Sequence, residues 1–112
     1  MISIAFDRGY RCEECVKDLD LFEGCCERTW VCKTCGNPAF VLAGDGDFEY
    51  LFRRLPVSKI KSDDYVGLYG RPVGELYRVF TSEPGKKNEW LLRLEGYGTK
   101  KTSLRRFVSV LV

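Results

Sequence analysis

The chain contains no histidine. That absence removes imidazole at once as general base, proton shuttle, nucleophile partner and metal ligand. There is no apolar run long enough to cross a membrane, no low-complexity tract and no internal repeat of useful length. The opening residues, Met1 to Asp7, are apolar but too few for a secretory signal, and they carry neither a basic leader nor a cleavage site. A G-x4-G-K-S/T phosphate loop, a G-x-S-x-G elbow and an H-E-x-x-H helix are all missing. An enzyme built on this chain would need carboxylate or cysteine chemistry without imidazole, so a non-enzymatic role is expected.

At 112 residues, 45% apolar and 30% charged, the composition is that of an ordinary globular protein of one compact domain or two very small ones. A chain of this size buries only about 65% of its unfolded surface, so a covalent or metal staple is a useful supplement to a small core.

The chain does supply cysteine. Cys12-Glu13-Glu14-Cys15 and Cys32-Lys33-Thr34-Cys35 form two C-x2-C pairs separated by sixteen residues. This is the ligand spacing of a closed tetrahedral four-cysteine site. Two intervening residues let both sulfurs of a tight turn reach one ion, each at about 2.3 Å. Gly36 follows the second pair, where a knuckle needs a residue free to take positive φ. Structural Zn²⁺ held by Cys12, Cys15, Cys32 and Cys35 is the expectation, and a closed shell of this kind holds structure rather than activating water.

Other readings of the thiols stay open. Six cysteines permit fifteen disulfide pairings, and four thiolates also suit an iron–sulfur cluster. The lack of an export signal favours a reducing, cytoplasmic location and therefore metal over disulfides. A redox C-x2-C normally comes singly beside a βαβ pattern, which is absent. Cys25 and Cys26 are adjacent, so on a strand they point to opposite faces and at most one would join the site. They read as small buried hydrophobes. The alternatives are that one replaces an expected ligand, or that six cysteines hold two metals.

Charge is divided unevenly. Residues 1–55 carry seven Lys and Arg against ten Asp and Glu, a formal −3, and residues 56–112 carry eleven against six, a formal +5. Four thiolates on a divalent ion deepen the negative side by about two charges. Phosphate contacts require Lys and Arg, so the basic half is the expected nucleic-acid surface. Within it, Lys86, Lys87, Lys100, Lys101, Arg105 and Arg106 fall in two loops and at a strand start, opposed only by Glu89 and Glu95. Trp90 and Tyr97 lie nearby in sequence for base stacking. The plain alternative is that loop lysines keep a sheet soluble and its edges unpaired.

Along the chain, residues 2–6 read as a short strand turned by Asp7-Arg8-Gly9 into the first knuckle. Residues 16–22 read as a helical turn, with Val16, Leu19 and Phe22 on one face. Residues 27–31 read as a strand anchored by Trp30. An apolar run over 39–43 precedes Gly44-Asp45-Gly46-Asp47, after which Asp47 caps a short helix ending at Pro56, or the segment forms a hairpin around Gly44-Asp45-Gly46. The Asp45, Asp47 and Glu49 carboxylates lack the remaining ligands of a calcium loop and read as a solvated turn with a helix cap. Asp63-Asp64 reads as a turn. Residues 65–69, 73–81, 89–95 and 104–112 read as strands, with Pro84-Gly85 and Gly96-Tyr97-Gly98 in loops. In the third of these, Trp90, Leu92 and Leu94 share one face.

The run Asp64-Tyr65-Val66-Gly67-Leu68, then Gly70-Arg71-Pro72 and Tyr77-Arg78-Val79, resembles the opening of Src-homology-3-like barrels, including the KOW domains of translation and transcription factors. Gly70-Arg71-Pro72-Val73-Gly74 also resembles PRC-barrel domains. The likeness covers under half the chain and implies a small barrel, with no functional residue carried over. The expected fold is mostly β with minor α: a zinc ribbon or knuckle module with one short helix over 1–55, packed on a small antiparallel β-barrel over 56–112. The expected function is a zinc-binding module that binds DNA, RNA or a protein of the transcription or translation machinery through its basic half. The alternative is a protein–protein adaptor or inhibitor that uses the acidic metal module as its face.

Overall fold

A computed structural model describes residues 4–25, 28–46 and 48–112. The start of the expected first strand, Cys26, Glu27 and the Asp47 cap lie outside the described residues. Nine strands form one antiparallel sheet in the order β2-β1-β3-β4-β9-β5-β6-β7-β8. They are β1 (Asp7–Cys12), β2 (Lys17–Leu19), β3 (Phe40–Asp45), β4 (Phe48–Pro56), β5 (Tyr65–Gly67), β6 (Leu76–Pro84), β7 (Glu89–Leu94), β8 (Gly98–Ser103) and β9 (Phe107–Leu111). The helical content among the described residues is one 3-10 turn at Val57–Lys59. Among the described residues no helix is long and apolar enough to cross a membrane.

The mostly β class expected from sequence is therefore observed. The pairing is that of a single open sheet with β2 and β8 at its edges. One stitch joins the two halves of the chain: β4 pairs with β9 from Phe52↔Leu111 to Pro56↔Phe107.

Several local expectations give way. Residues 48–56 are a strand, not a helix. β3 and β4 pair as a hairpin through Asp45↔Phe48, as in the alternative reading, and Gly44 permits it: a Cβ there would sit 2.3 Å from the Phe48 carbonyl oxygen. Phe52 and Arg54 are both buried, and the charge of Arg54 at an inward position disguises the period-two pattern. The helical turn over 16–22 is instead β2, paired to β1 through Tyr10↔Leu19. Only Leu19 of its supposed apolar face is buried; Val16 and Phe22 are 69% and 58% exposed, both in left-handed backbone. Asp7-Arg8-Gly9 does not turn the chain but begins β1, with a bulge that pairs Asp7 with Ala43 and Gly9 with Leu42. Trp30 is buried, yet residues 28–30 are turn and irregular backbone, and only Val31 makes an isolated bridge, to Pro38. The four strands expected after Pro56 are present as β5, β6, β7 and β9. Between the last two lies β8, a strand without apolar residues that sequence leaves as a loop.

Three groups of buried side chains result. Val57, Ile60, Val66, Val79, Leu92, Leu94 and Val110 form the C-terminal core, with Trp90 packed against it. Val41, Ala43 and Phe52 form a middle group that Val73, Leu76 and Leu111 cover from the other half. Cys12, Leu19, Cys25, Trp30, Cys32 and Ala39 form the third.

Candidate functional site

The first pair of cysteines sits where β1 ends and the chain doubles back into β2; the second follows the Val31 bridge. Each pair folds into a turn stiffened by its own amides. The Cys15 N–H donates to the Cys12 sulfur at 3.3 Å. In the second turn the Gly36 N–H donates to the Cys32 carbonyl at 2.8 Å, and the Asn37 side-chain amide reaches the Cys35 sulfur at 3.5 Å. Gly36 takes a φ of 78°, the left-handed geometry expected after the last ligand. Val16 takes φ 50° at the corresponding place after Cys15, where a β-branched residue is strained.

The two turns bring the four predicted sulfurs, of Cys12, Cys15, Cys32 and Cys35, within 4.8 Å of one another. Cys12 and Cys35 are 3.4 Å apart, and Cys15 and Cys32 4.0 Å. A regular tetrahedron with bonds of about 2.3 Å has edges of about 3.8 Å, so the cluster suits one tetrahedral ion. Both separations far exceed the roughly 2.05 Å of a disulfide. Cys25 is fully buried beside the cluster, bridged through its backbone to Leu21 and Cys32, and is not a member of the four-sulfur group.

The electrostatics point the same way. Backbone N–H groups of Cys35, with that of Thr34, pull the Cys32 thiol down to about 6. Hydrogen bonding to Cys12 and Cys35, together with burial, pushes the Cys15 thiol up to about 12. Amides favour a thiolate on one side of the cluster while neighbouring sulfurs resist a second. A cation removes that conflict, because all four ligands can then be deprotonated.

A second buried polar assembly lies next to this one. The Arg54 guanidinium, 3% exposed, donates from Nη1 and Nη2 to the two carboxylate oxygens of Asp7, each at 2.7 Å, and from Nε to the Ser109 hydroxyl at 3.2 Å. It lies 4.3 Å from the centre of the Trp30 ring, on which Tyr10 also stacks. The Tyr10 hydroxyl donates to Asp7 at 2.6 Å, and burial, with that carboxylate, raises the Tyr10 pKa. The assembly links β1, the segment that carries Trp30, β4 and β9. Sequence alone does not expose it, because Asp7 and Arg54 are 47 residues apart and neither belongs to a motif.

The basic residues fall at a different part of the sheet. Lys86 and Lys87 occupy the β6–β7 loop, and Arg105 and Arg106 the β8–β9 turn. These two connections meet at one end, where the Leu104 N–H donates to the Asn88 carbonyl at 3.2 Å. Lys100 and Lys101 are in β8, not in a loop, and as strand neighbours they point to opposite faces. Lys101 pairs across from Leu91, whereas Lys100 pairs across from the buried Leu92 and is itself half-buried. None of the six forms an ion pair among the described residues. Lys100 and Arg106 also line a cleft of about 730 Å³ whose walls come mainly from β4, β8, β9 and the β5–β6 loop, and which the Asp7–Arg54 pair also lines.

Comparison with protein-family models, with curated proteins and with solved structures finds no match to this chain. Function is therefore argued from the sites themselves.

Proposed function

We propose that the protein is a non-enzymatic binding module in which a structural Zn²⁺ on Cys12, Cys15, Cys32 and Cys35 holds residues 1–55 as a ribbon, while the basic half grips nucleic acid. Zinc is chosen over iron–sulfur chemistry because four cysteines in two amide-stiffened turns close a structural zinc shell without further machinery. Free C-x2-C thiols persist as ligands most readily in a reducing compartment, so an intracellular setting is part of the proposal. The five C-terminal strands read as a half-open small barrel: β5 to β8 form a meander, and β9 returns to pair with β5 through Val66↔Val110 around the Leu92 core.

One observation carries the nucleic-acid reading. Four basic side chains, Lys86, Lys87, Arg105 and Arg106, stand on two connections joined by a hydrogen bond, and no carboxylate among the described residues pairs with them. Some surface cations elsewhere do find partners: Arg8 with Glu49, Arg11 with Asp18 and Arg78 with Asp63. Others, such as Lys59, Lys61 and Arg93, have no carboxylate partner among the described residues, so it is the convergence of four cations on two joined connections that marks this end. An unpaired basic end is suited to a polyanion. Neutralising about four phosphates gives a log–log salt slope near −3 to −4, and each Lys→Ala change in the set lowers it by about one. Sequence preference is weak, because these residues fix phosphates and read no bases. Titration of labelled DNA and RNA at low and physiological salt checks this. Absence of binding at about 50 mM salt, or binding indifferent to Lys86→Ala with Lys87→Ala, contradicts it. The adaptor reading then takes over. It draws support from Val16 and Phe22, exposed apolar side chains at the two ends of β2 on the acidic module.

A further inference from the structure

The cleft next to that basic end has features that phosphate gripping does not require. Its volume, about 730 Å³, lies within the roughly 300–1,000 Å³ typical of sites that enclose a small molecule. Its lining includes Leu68, the buried ring of Phe52, the half-buried ring of Phe107, and two exposed aromatic rings, Phe6 and Tyr69. The last two are 43% and 60% exposed, although each borders an apolar hollow that could have covered them. The same lining holds Lys100 and Arg106, neither paired with a carboxylate among the described residues. Lysines on an edge strand blunt it against association, and Lys101 on the outer face serves that purpose. Lys100 does not fit this account, since it is half-buried on the face of Leu92.

We infer that the cleft takes one unpaired base of a nucleic-acid strand, stacked against Tyr69, with the adjoining phosphates on Lys100 and Arg106. This rests on the nucleic-acid reading proposed above and makes it specific: the substrate is single-stranded. A base within a duplex is stacked and paired, and cannot enter a cleft without paying to be extruded. The surrounding phosphates reach Lys86, Lys87 and Arg105 on the end of the sheet. Stacking on an aromatic ring tolerates any base, so composition matters little.

The test uses the full zinc-loaded chain and three labelled probes of equal length at about 50 mM salt: a single strand, its duplex, and a single strand in which abasic sites replace the bases. Each probe is made as both RNA and DNA, which separates the two sources. The single strand is expected to bind about tenfold more tightly than the duplex or the abasic strand, in line with base–aromatic stacking. Tyr69→Ala removes that advantage while Tyr69→Phe keeps it, and Lys100→Gln weakens the single strand more than the duplex. Metal content and the thermal midpoint of each variant confirm that it is folded. Equal binding of all three probes, reduced by Lys86→Ala with Lys87→Ala but not by Tyr69→Ala, overturns the inference and leaves the nucleic-acid reading standing. No binding of any probe overturns both.

Discussion

Among the described residues, the buried group around Trp30 contains three cysteines and one alanine in six, whereas the group around Leu92 consists of seven aliphatic side chains. The second is an ordinary hydrophobic core. Burying a Val, Leu or Ile contributes about 1.5–3 kcal/mol each, and β5, β6, β7 and β9 carry five of the seven, with β5, β6 and β7 pairing in sequence order. The first group has too little apolar surface to hold β1, β2 and the irregular backbone of residues 28–39 in place. It does have two turns whose sulfurs converge. With the proposed ion in place, one short chain stabilises two regions by different means, an ion on one side and apolar burial on the other, with a single sheet running between them.

The largest expected effect comes from removing a ligand. Cys32→Ser should abolish stoichiometric zinc and unravel the metal module, while Cys25→Ala leaves one zinc per chain; elemental analysis of both proteins checks the pair. Structural zinc is worth on the order of 10–16 kcal/mol, comparable to or larger than the roughly 5–15 kcal/mol of a whole domain. Because β4 pairs with β9, some loss in the C-terminal half follows, but smaller.

Next in size is the connection between the regions. Arg54→Ala leaves the Asp7 carboxylate buried without its cation and strips a partner from the Trp30 face. A cost of about 3–5 kcal/mol in urea unfolding is expected. Adding Asp7→Ala to that variant should cost less than the two single losses together, since both members of one pair are then gone. Simple additivity would mean the pair does not act as a unit.

The smallest effect compares the two knuckles directly. Val16 and Gly36 occupy the same place, one residue past a C-x2-C pair, with φ of 50° and 78°. Left-handed backbone costs a residue with a Cβ about 1–2 kcal/mol, and glycine brings extra unfolded-state entropy of about 0.5–1 kcal/mol. Val16→Gly should therefore stabilise the protein by about 1 kcal/mol or less, while Gly36→Val destabilises it by about 1–2 kcal/mol. Thermal midpoints of the two variants show whether their signs are opposite.

The parts of the molecule that were legible in sequence are those whose signal is local. The cysteine quartet, spaced as ligands of one ion are, does come together in one cluster, and Trp90, Leu92 and Leu94 alternate as a half-buried strand must. The misread segments are those whose conformation is decided at a distance. Arg54 sits inward because distant residues, Asp7, Trp30 and Ser109, meet it there, so nothing local marks its segment as a strand. Val16 and Phe22 mimic a helical stripe yet face solvent, because β1 is available to pair with the residues between them. Edge strand β8 carries Gly98-Thr99-Lys100-Lys101-Thr102-Ser103, with no apolar period to announce it. Its two threonines and the lysine pair are the only local hints of an edge.

The most direct test of a metal-held region beside an apolar one is amide hydrogen exchange on the zinc-loaded protein and on the same protein after chelation. Removal of zinc is expected to strip protection from β1, β2 and the segment around Cys32. The amides of β6 and β7 over the Leu92 core should keep most of theirs. Protection lost equally across all nine strands would contradict this division, and so would protection unchanged in β1 and β2 once zinc is gone.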